Sequence, residues 1–200
     1  MIHIRIDSDF TDYYDSLQDT GSIYTYSRIR VPQQRAIELR ALKSLGIQTI
    51  GIKPVSQYLP NERIVVYKNA LGHSSSGKEI MSASAAMLKY SNSAASIYYD
   101  SDYSIKMIQI GKIQLVLYFK SIKNELTLGK LVDIKVNQSD YNRSIGLPIY
   151  SIDYIAVDNK MIATDFNTVE KLNKYDIKHI IDGETIINEI SNALVIYNKL

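Results

Sequence analysis

Two hundred residues, 46% hydrophobic and 22% charged, suit one globular domain, or one domain with a small N-terminal piece. A net charge of +2 implies no strong pull toward nucleic acid or an anionic membrane, and the lack of cysteine excludes disulfides and thiolate metal sites. No apolar run approaches the ~20 residues of a membrane span, and the acidic start MIHIRIDSDF lacks a signal peptide's apolar core, so a cytoplasmic protein is expected.

In chain order, IHIRI alternates and predicts a strand, followed by the acidic DSDFTDYYDSL. TGSIYTYSRIR predicts a further short strand. Pro32 opens a helix over 33–45, with Ile37, Ala41, Leu42 and Leu45 on one face and Gly46 as its stop. IQTIGI predicts a buried strand, PVSQYLPNE a loop, RIVVYKNAL a strand and GHSSSGK a polar loop of small residues. Ile80, Ala83, Met87 and Tyr90 have helical spacing. ASIYYDSDY predicts a short strand and turn. IKMIQIGKIQLVLYF is a hairpin around the two-residue turn Gly111-Lys112, and KLVDIKVN adds another strand. A second hairpin fills 149–167. Ile186, Ile187, Ile190, Ala193, Leu194 and Tyr197 form the stripe of a last helix. The pattern is mixed α+β, mostly antiparallel from residue 97 onward.

The second hairpin, IDYIAVDNKMIATDFN, carries two aspartates among its apolar residues. A three-residue turn, Asp158-Asn159-Lys160, pairs Asp153 with Asp165 on one face, and Asn167 falls on that face two residues on. Like charges directly opposite each other are destabilising, and a divalent cation is the natural offset: Mg²⁺ takes carboxylate and amide oxygens and shares its remaining shell with phosphates and water. A two-residue turn, Asp158-Asn159, instead puts Asp153 opposite Thr164 and separates the acids, one of them then facing solvent.

Asp153 followed by Asp165-x-Asn167 resembles the metal-binding end of ATP-grasp enzymes, particularly the ribosomal-protein-glutamate ligase branch. The pieces upstream are similar in order: RIVVYKNALGHSSSGKEIMSASAAML to the family's lysine strand, phosphate loop and helix, and ASIYYDSDYSIKMIQIGKIQLVLYFKS to its adenine-side strand and following hairpin. The helix at 33–45 with LGIQTIGI resembles the segment ahead of the ATP-grasp body. The resemblance covers roughly residues 30–200. It implies ATP and Mg²⁺ as cofactors, with Lys68 and Lys78 neutralising phosphate charge and the loop 72–77, including Gly72, His73 and Gly77, cradling oxygens. Asp100 or Asp102 accepts from the ribose, Asp153, Asp165 and Asn167 hold the metal, and Lys106 steadies the reacting phosphoryl group. There are departures. The loop has three serines and only two glycines, Lys106 stands for the usual arginine and Asp165 for glutamate, Tyr98-Tyr99 replaces a Gln-Glu pair, and the N-terminal piece is short.

Other motifs compete. Gly72 to Lys78 spells a P-loop up to the lysine, but Glu79 follows where Ser or Thr is required. Asp7-x-Asp9-x-Thr11 spells the nucleophile and general acid of haloacid-dehalogenase-type phosphatases, or else a helix cap. The tyrosines at 13, 14, 24 and 26 have no basic groove beside them, and packing at a sheet edge is the simpler account than base stacking. SDFTDYYDSL is similar to uncharacterised tailed-phage proteins.

The expectation is an α+β, ATP-grasp-like domain over 32–200, with a largely antiparallel sheet, flanking helices and a short extension at 1–31. Its expected chemistry is ATP-dependent carboxylate–amine ligation through an acyl phosphate, with a nucleotide and a small-molecule or peptide carboxylate as partners. The alternatives are a catalytically degenerate, phage-encoded interaction protein that keeps the fold, and a phosphatase using Asp7 and Asp9.

Overall fold

The computed structural model describes residues 34–68, 77–140, 145, 147, 149–167 and 179–197. The extension 1–31, Asp7, Asp9, the tyrosine cluster, Gly72 and His73 lie outside them.

Helix α1 (Gln34–Ser44) ends as its sequence dictates. Gly46 adopts φ +83°, donating to Lys43 O (3.0 Å), while Ile47 N donates to Leu42 O (3.1 Å), the two bonds of a Schellman cap. Its buried face is not the expected one. Leu39 and Leu42 are buried, whereas Ile37 and Leu45 are exposed. The stripe runs through Arg35, Leu39 and Leu42 at i, i+4 and i+7, because α1 packs on strand β9 (Lys160–Asn167) through that side.

The first sheet has four antiparallel strands in the order β1-β4-β2-β3: β1 (Ile52–Pro54), β4 (Ala94–Ile97), β2 (Arg63–Tyr67) and β3 (Lys78–Ser82). The buried strand expected from IQTIGI is displaced: β1 begins only at its last residue, Ile52, and is at most half-buried. Residues 48–50 instead run beside β9, where Ile50 N donates to Ala163 O and Ala163 N to Gln48 O, both at 2.8 Å. The helical spacing beginning at Ile80 also misleads. Residues 78–82 pair with β2, Val65 opposite Ile80, and α2 (Ala83–Tyr90) begins only where the Ser82 hydroxyl accepts from Ala85 N (3.3 Å). Ala83 and Ala86 then pack on Val55, Ile64 and Val66. Lys78 therefore opens a strand, whereas a P-loop lysine sits at a helix start, which removes that reading.

The second sheet has five antiparallel strands in the order β7-β6-β5-β8-β9: β5 (Tyr103–Ile110), β6 (Ile113–Lys120), β7 (Leu131–Gln138), β8 (Ile149–Val157) and β9 (Lys160–Asn167). Its alternation separates two cores. Ile108, Ile110, Leu115 and Leu117 face helix α3 (Gly183–Tyr197), which buries Ile186 and Ile190 against them. Burying each isoleucine contributes about 1.5–3 kcal/mol. Ile105, Val116, Tyr150 and Ile152 face Leu39 and Leu42 of α1. In α3, Ile187 is exposed, and the side chains of Leu194 and Tyr197 lie outside the described set. Gly111 makes the β5–β6 turn at φ +55°, and a Cβ there would meet Glu189 O of α3 at 2.6 Å. Every pair of named strands is antiparallel. Among the described residues there is thus no parallel sheet to support a phosphatase built on Asp7 and Asp9.

Candidate functional site

The β8–β9 hairpin resolves the question of the paired acids in an unexpected way. Its turn is the two-residue one. Asp158 and Asn159 both have positive φ (49° and 62°), as a type I′ turn requires, and Val157 pairs with Lys160. The three-residue turn is thereby corrected. A bulge then restores what the shorter turn would have lost. Tyr154 pairs with Ala163, the register shifts, and Asp153 pairs with Asp165, leaving Thr164 as the extra residue. The Thr164 hydroxyl donates to Asp153 O (3.1 Å), which fixes the bulge on β8.

The rung continues across the sheet. Lys106 of β5 lies opposite Asp153, so Lys106, Asp153 and Asp165 sit in one row over three strands. Lys106 Nζ is 2.6 Å from Asp153 Oδ1 and 3.4 Å from Ser151 Oγ. At the other end, Arg35 of α1 closes the row: Nη2 is 2.8 Å from Asp165 Oδ2, and Nη1 donates to Thr164 O at 3.1 Å. One guanidinium fork thus holds both the carboxylate and the carbonyl of the bulge. Two adjacent carboxylates would repel; here Lys106 and Arg35 offset them. Asp153 is the most open of the four, its side chain 29% exposed against 6–12% for the others.

This row forms part of the wall of a cleft of about 950 Å³ between the two sheets, within the size range of small-molecule sites. The facing sheet contributes Val65, Tyr67, Lys78, Ser96 and Ile97. The β4–β5 crossover adds Tyr98, Tyr99 and Ser101, and the β6–β7 loop adds Ile122, Leu126 and Leu128. The acids Asp153 and Asp165 lie at the β8–β9 side with Lys78 across from them, while the loop side mixes Ile122, Leu126 and Leu128 with Glu125 and Thr127. The Tyr67 phenol is bonded to Ser96 Oγ (2.9 Å), and burial pushes its pKa up despite the Arg35 guanidinium 5.5 Å from its ring. Burial also pushes Tyr154, another lining residue, up to about 12.

Of the residues singled out in the sequence, Lys78, Lys106, Asp153, Asp165 and Asn167 line this cleft. Lys68 does not: it follows Tyr67 on the strand, so its side chain turns the other way and lies 3.7 Å from Glu79, beside Lys89 and Tyr90 of α2. Asp100 and Asp102 are exposed, and Ser101 between them reaches the cleft instead. Gly77 is buried at the head of β3, where its carbonyl accepts from Lys68 N (2.9 Å). Arg35 and Thr164 were not anticipated. The signal for Arg35 was a cation in line with Leu39 and Leu42, hidden by the wrong choice of helix face.

Two antiparallel sheets enclosing a charged cleft, joined by a short crossover and preceded by a helix, define the class: this is an ATP-grasp fold. No family model and no characterised protein sequence matches the chain. Solved structures do. D-alanine–D-alanine ligase from Bacillus anthracis, complexed with ATP, superposes with a TM-score of 0.54 at 12% identity, covering 100% of this chain and 78% of that one. The macrocyclase MdnC from Microcystis aeruginosa MRC, bound to precursor peptide MdnA, gives 0.52 at 11% identity over 94% and 69%. The ATP-grasp ligase PsnB, complexed with a precursor variant, Mg and ADP, gives 0.54 at 10% identity; the chain spans 58% of its length.

Proposed function

We propose that the cleft binds a magnesium–nucleoside triphosphate and that the protein is an ATP-dependent carboxylate–amine ligase. The observation that carries this reading is the row Lys106–Asp153–Asp165 closed by Arg35 on the wall of the inter-sheet cleft. Solved structures with this fold hold ATP in one case and Mg with ADP in another.

The donor set suits Mg²⁺, which prefers carboxylate and amide oxygens. Asp153, Asp165 and Asn167 offer these, and a carboxylate has about four lone-pair sites, so an ion pair with lysine or arginine leaves capacity for a cation. When bound there, the metal would neutralise charge on the phosphate oxygens. Lys106 and Lys78 face the cleft from opposite sheets and hold phosphate oxygens electrostatically. Arg35 fixes the bulge and so keeps Asp165 turned into the cleft. The end where Ile97, Ile122, Leu126 and Leu128 stand beside Glu125 and Thr127 takes the base, its apolar side chains against the ring faces. In the reaction, the γ-phosphoryl group passes to a substrate carboxylate as ADP leaves. An amine then attacks the acyl carbon, and inorganic phosphate departs. A small-molecule or peptide carboxylate is the expected substrate.

Titration with a fluorescent ATP analogue tests the site. We expect saturable, Mg²⁺-dependent binding, weakened at least tenfold in Asp165→Asn and Lys106→Ala. Binding that ignores both substitutions would place the nucleotide elsewhere. A second reading, a catalytically degenerate interaction protein with the same fold, is favoured by one observation: both carboxylates already have cationic neighbours. It predicts no saturable binding.

A further inference from the structure

We infer that Arg63 and Asn124 are positioning residues for the base end of the cleft: with Tyr98 they form a clasp that fixes the β6–β7 loop (121–130) against β2 and the β4–β5 crossover. The inference rests on the reading that the cleft holds a nucleotide. Apolar packing does little to join the two sheets. The first sheet buries Val55, Ile64, Val66, Ala86 and Ala95 in a cluster of its own. Ile52, at the entry to β1, is its one residue among the apolar side chains packed on the second sheet's clusters. Two arginines instead bridge the sheets, one at each end of the cleft. At the β8–β9 end Arg35 lies over the Tyr67 ring. At the loop end the bridge is Arg63.

Arg63 opens β2, and its carbonyl accepts from Tyr98 N (2.9 Å), so the two residues are neighbours where the crossover leaves the sheet. The guanidinium stacks on the Tyr98 ring, 4.4 Å from its centroid. A stacked guanidinium keeps its N–H groups in its own plane, free to donate sideways. Arg63 Nη2 donates to Asn124 Oδ1, and Asn124 N donates to the Tyr98 hydroxyl (3.1 Å). The circuit needs a residue with a short acceptor side chain that tolerates a left-handed backbone. Asn124, at φ +64°, supplies both. The loop is pinned again at its base, where Lys120 N donates to Lys130 O (2.9 Å). Gly129 permits that closure, since a Cβ there would meet Lys120 O at 1.8 Å. Glu125, Leu126 and Thr127 follow Asn124 directly and line the cleft, whereas Arg63 and Asn124 stand behind its wall. The clasp therefore acts on a ligand only through the loop it holds.

Competition against a ribose-labelled fluorescent ATP, on the full chain with Mg²⁺, tests the clasp. The competitors are ATP, which carries a base, and tripolyphosphate, which does not. Arg63→Met and Asn124→Ala should each weaken ATP about five- to tenfold and leave tripolyphosphate unchanged. Because both break one circuit, the double variant should lose little more than either alone. Asn124→Asp keeps an acceptor for Arg63 and should bind ATP as the wild type does. ATP affinity unchanged in both single variants, or an equal loss for tripolyphosphate, overturns the clasp and leaves the nucleotide site standing. A wild-type chain with no saturable binding of the labelled ATP removes the nucleotide reading and the clasp with it. Should Arg63→Met fail to fold, or tripolyphosphate compete too weakly to read, the Asn124 pair decides: a loss in Asn124→Asp equal to that in Asn124→Ala overturns the proposal.

Discussion

Arg35 connects α1 to the candidate site, and its two hydrogen-bonding arms do different work. One holds Asp165 and the other holds the bulge carbonyl of Thr164, 129 residues away in sequence. Arg35→Ala removes one partner of a nearly buried ion pair and should cost about 3 kcal/mol, read as a lower urea midpoint. Arg35→Lys keeps the charge but not the fork and should cost about 1 kcal/mol. Equal losses would mean that the fork geometry does not matter. Asp165 and Asn167 share a face by strand alternation, which is local, whereas Asp153 stands opposite Asp165 only because of the bulge. Arg35 was not legible, because its role depends on which side of α1 meets β9, and Ile37 and Leu45 offered a plausible alternative stripe. Tyrosines give a pH signature. Tyr58 donates to Ala95 O (2.8 Å), and burial, followed by the nearby Tyr67 and Glu62, pushes its pKa from 10.0 up to about 12. The folded state therefore holds this proton more tightly than the unfolded chain. Its contribution is complete below pH 10 and is lost as pH rises toward 12, by an amount on the order of 2 kcal/mol. Tyr154 behaves likewise. Tyr58→Phe should lower stability at neutral pH by about 1 kcal/mol and flatten the alkaline fall in melting temperature.

Among the elements, the β8–β9 hairpin shows where reading by pattern succeeds and fails. Asp158-Asn159-Lys160 is compatible with either turn length, so length could not be read from the residues. The correct rung then came from a feature with no local sequence signature, the bulge at Thr164, which restores one residue of register. Asn159 sits at φ 62°, where glycine is preferred in a type I′ turn. Asn159→Gly should therefore raise stability by roughly 0.5–1 kcal/mol, and Asn159→Ala should lower it by a similar amount, in a denaturant titration. The strand at 78–82 was hidden for the opposite reason. A helical period ran through it by coincidence, and only pairing with β2 decides its form. By contrast the β5–β6 hairpin was fully legible, because Gly111-Lys112 between alternating strands admits one arrangement.

At the scale of the whole molecule, the order of elements along the chain was enough to point to the fold, although identity to solved ATP-grasp structures is only 10–14%. What order could not convey is how the two sheets face one another and which charges their cleft gathers, since that depends on tertiary packing. The central claim is that this cleft takes a magnesium-bound nucleotide through the row of Lys106, Asp153 and Asp165. Thermal unfolding tests it most directly, comparing ATP with Mg²⁺, ATP alone and Mg²⁺ alone. Ligand at a hundredfold excess over Kd adds about 2.7 kcal/mol, a rise of roughly 5–10 °C for a chain of this length. The account predicts that rise with ATP and Mg²⁺ together, little with either alone, and its loss in Asp165→Asn. An unchanged melting temperature at millimolar ATP and Mg²⁺ would contradict it.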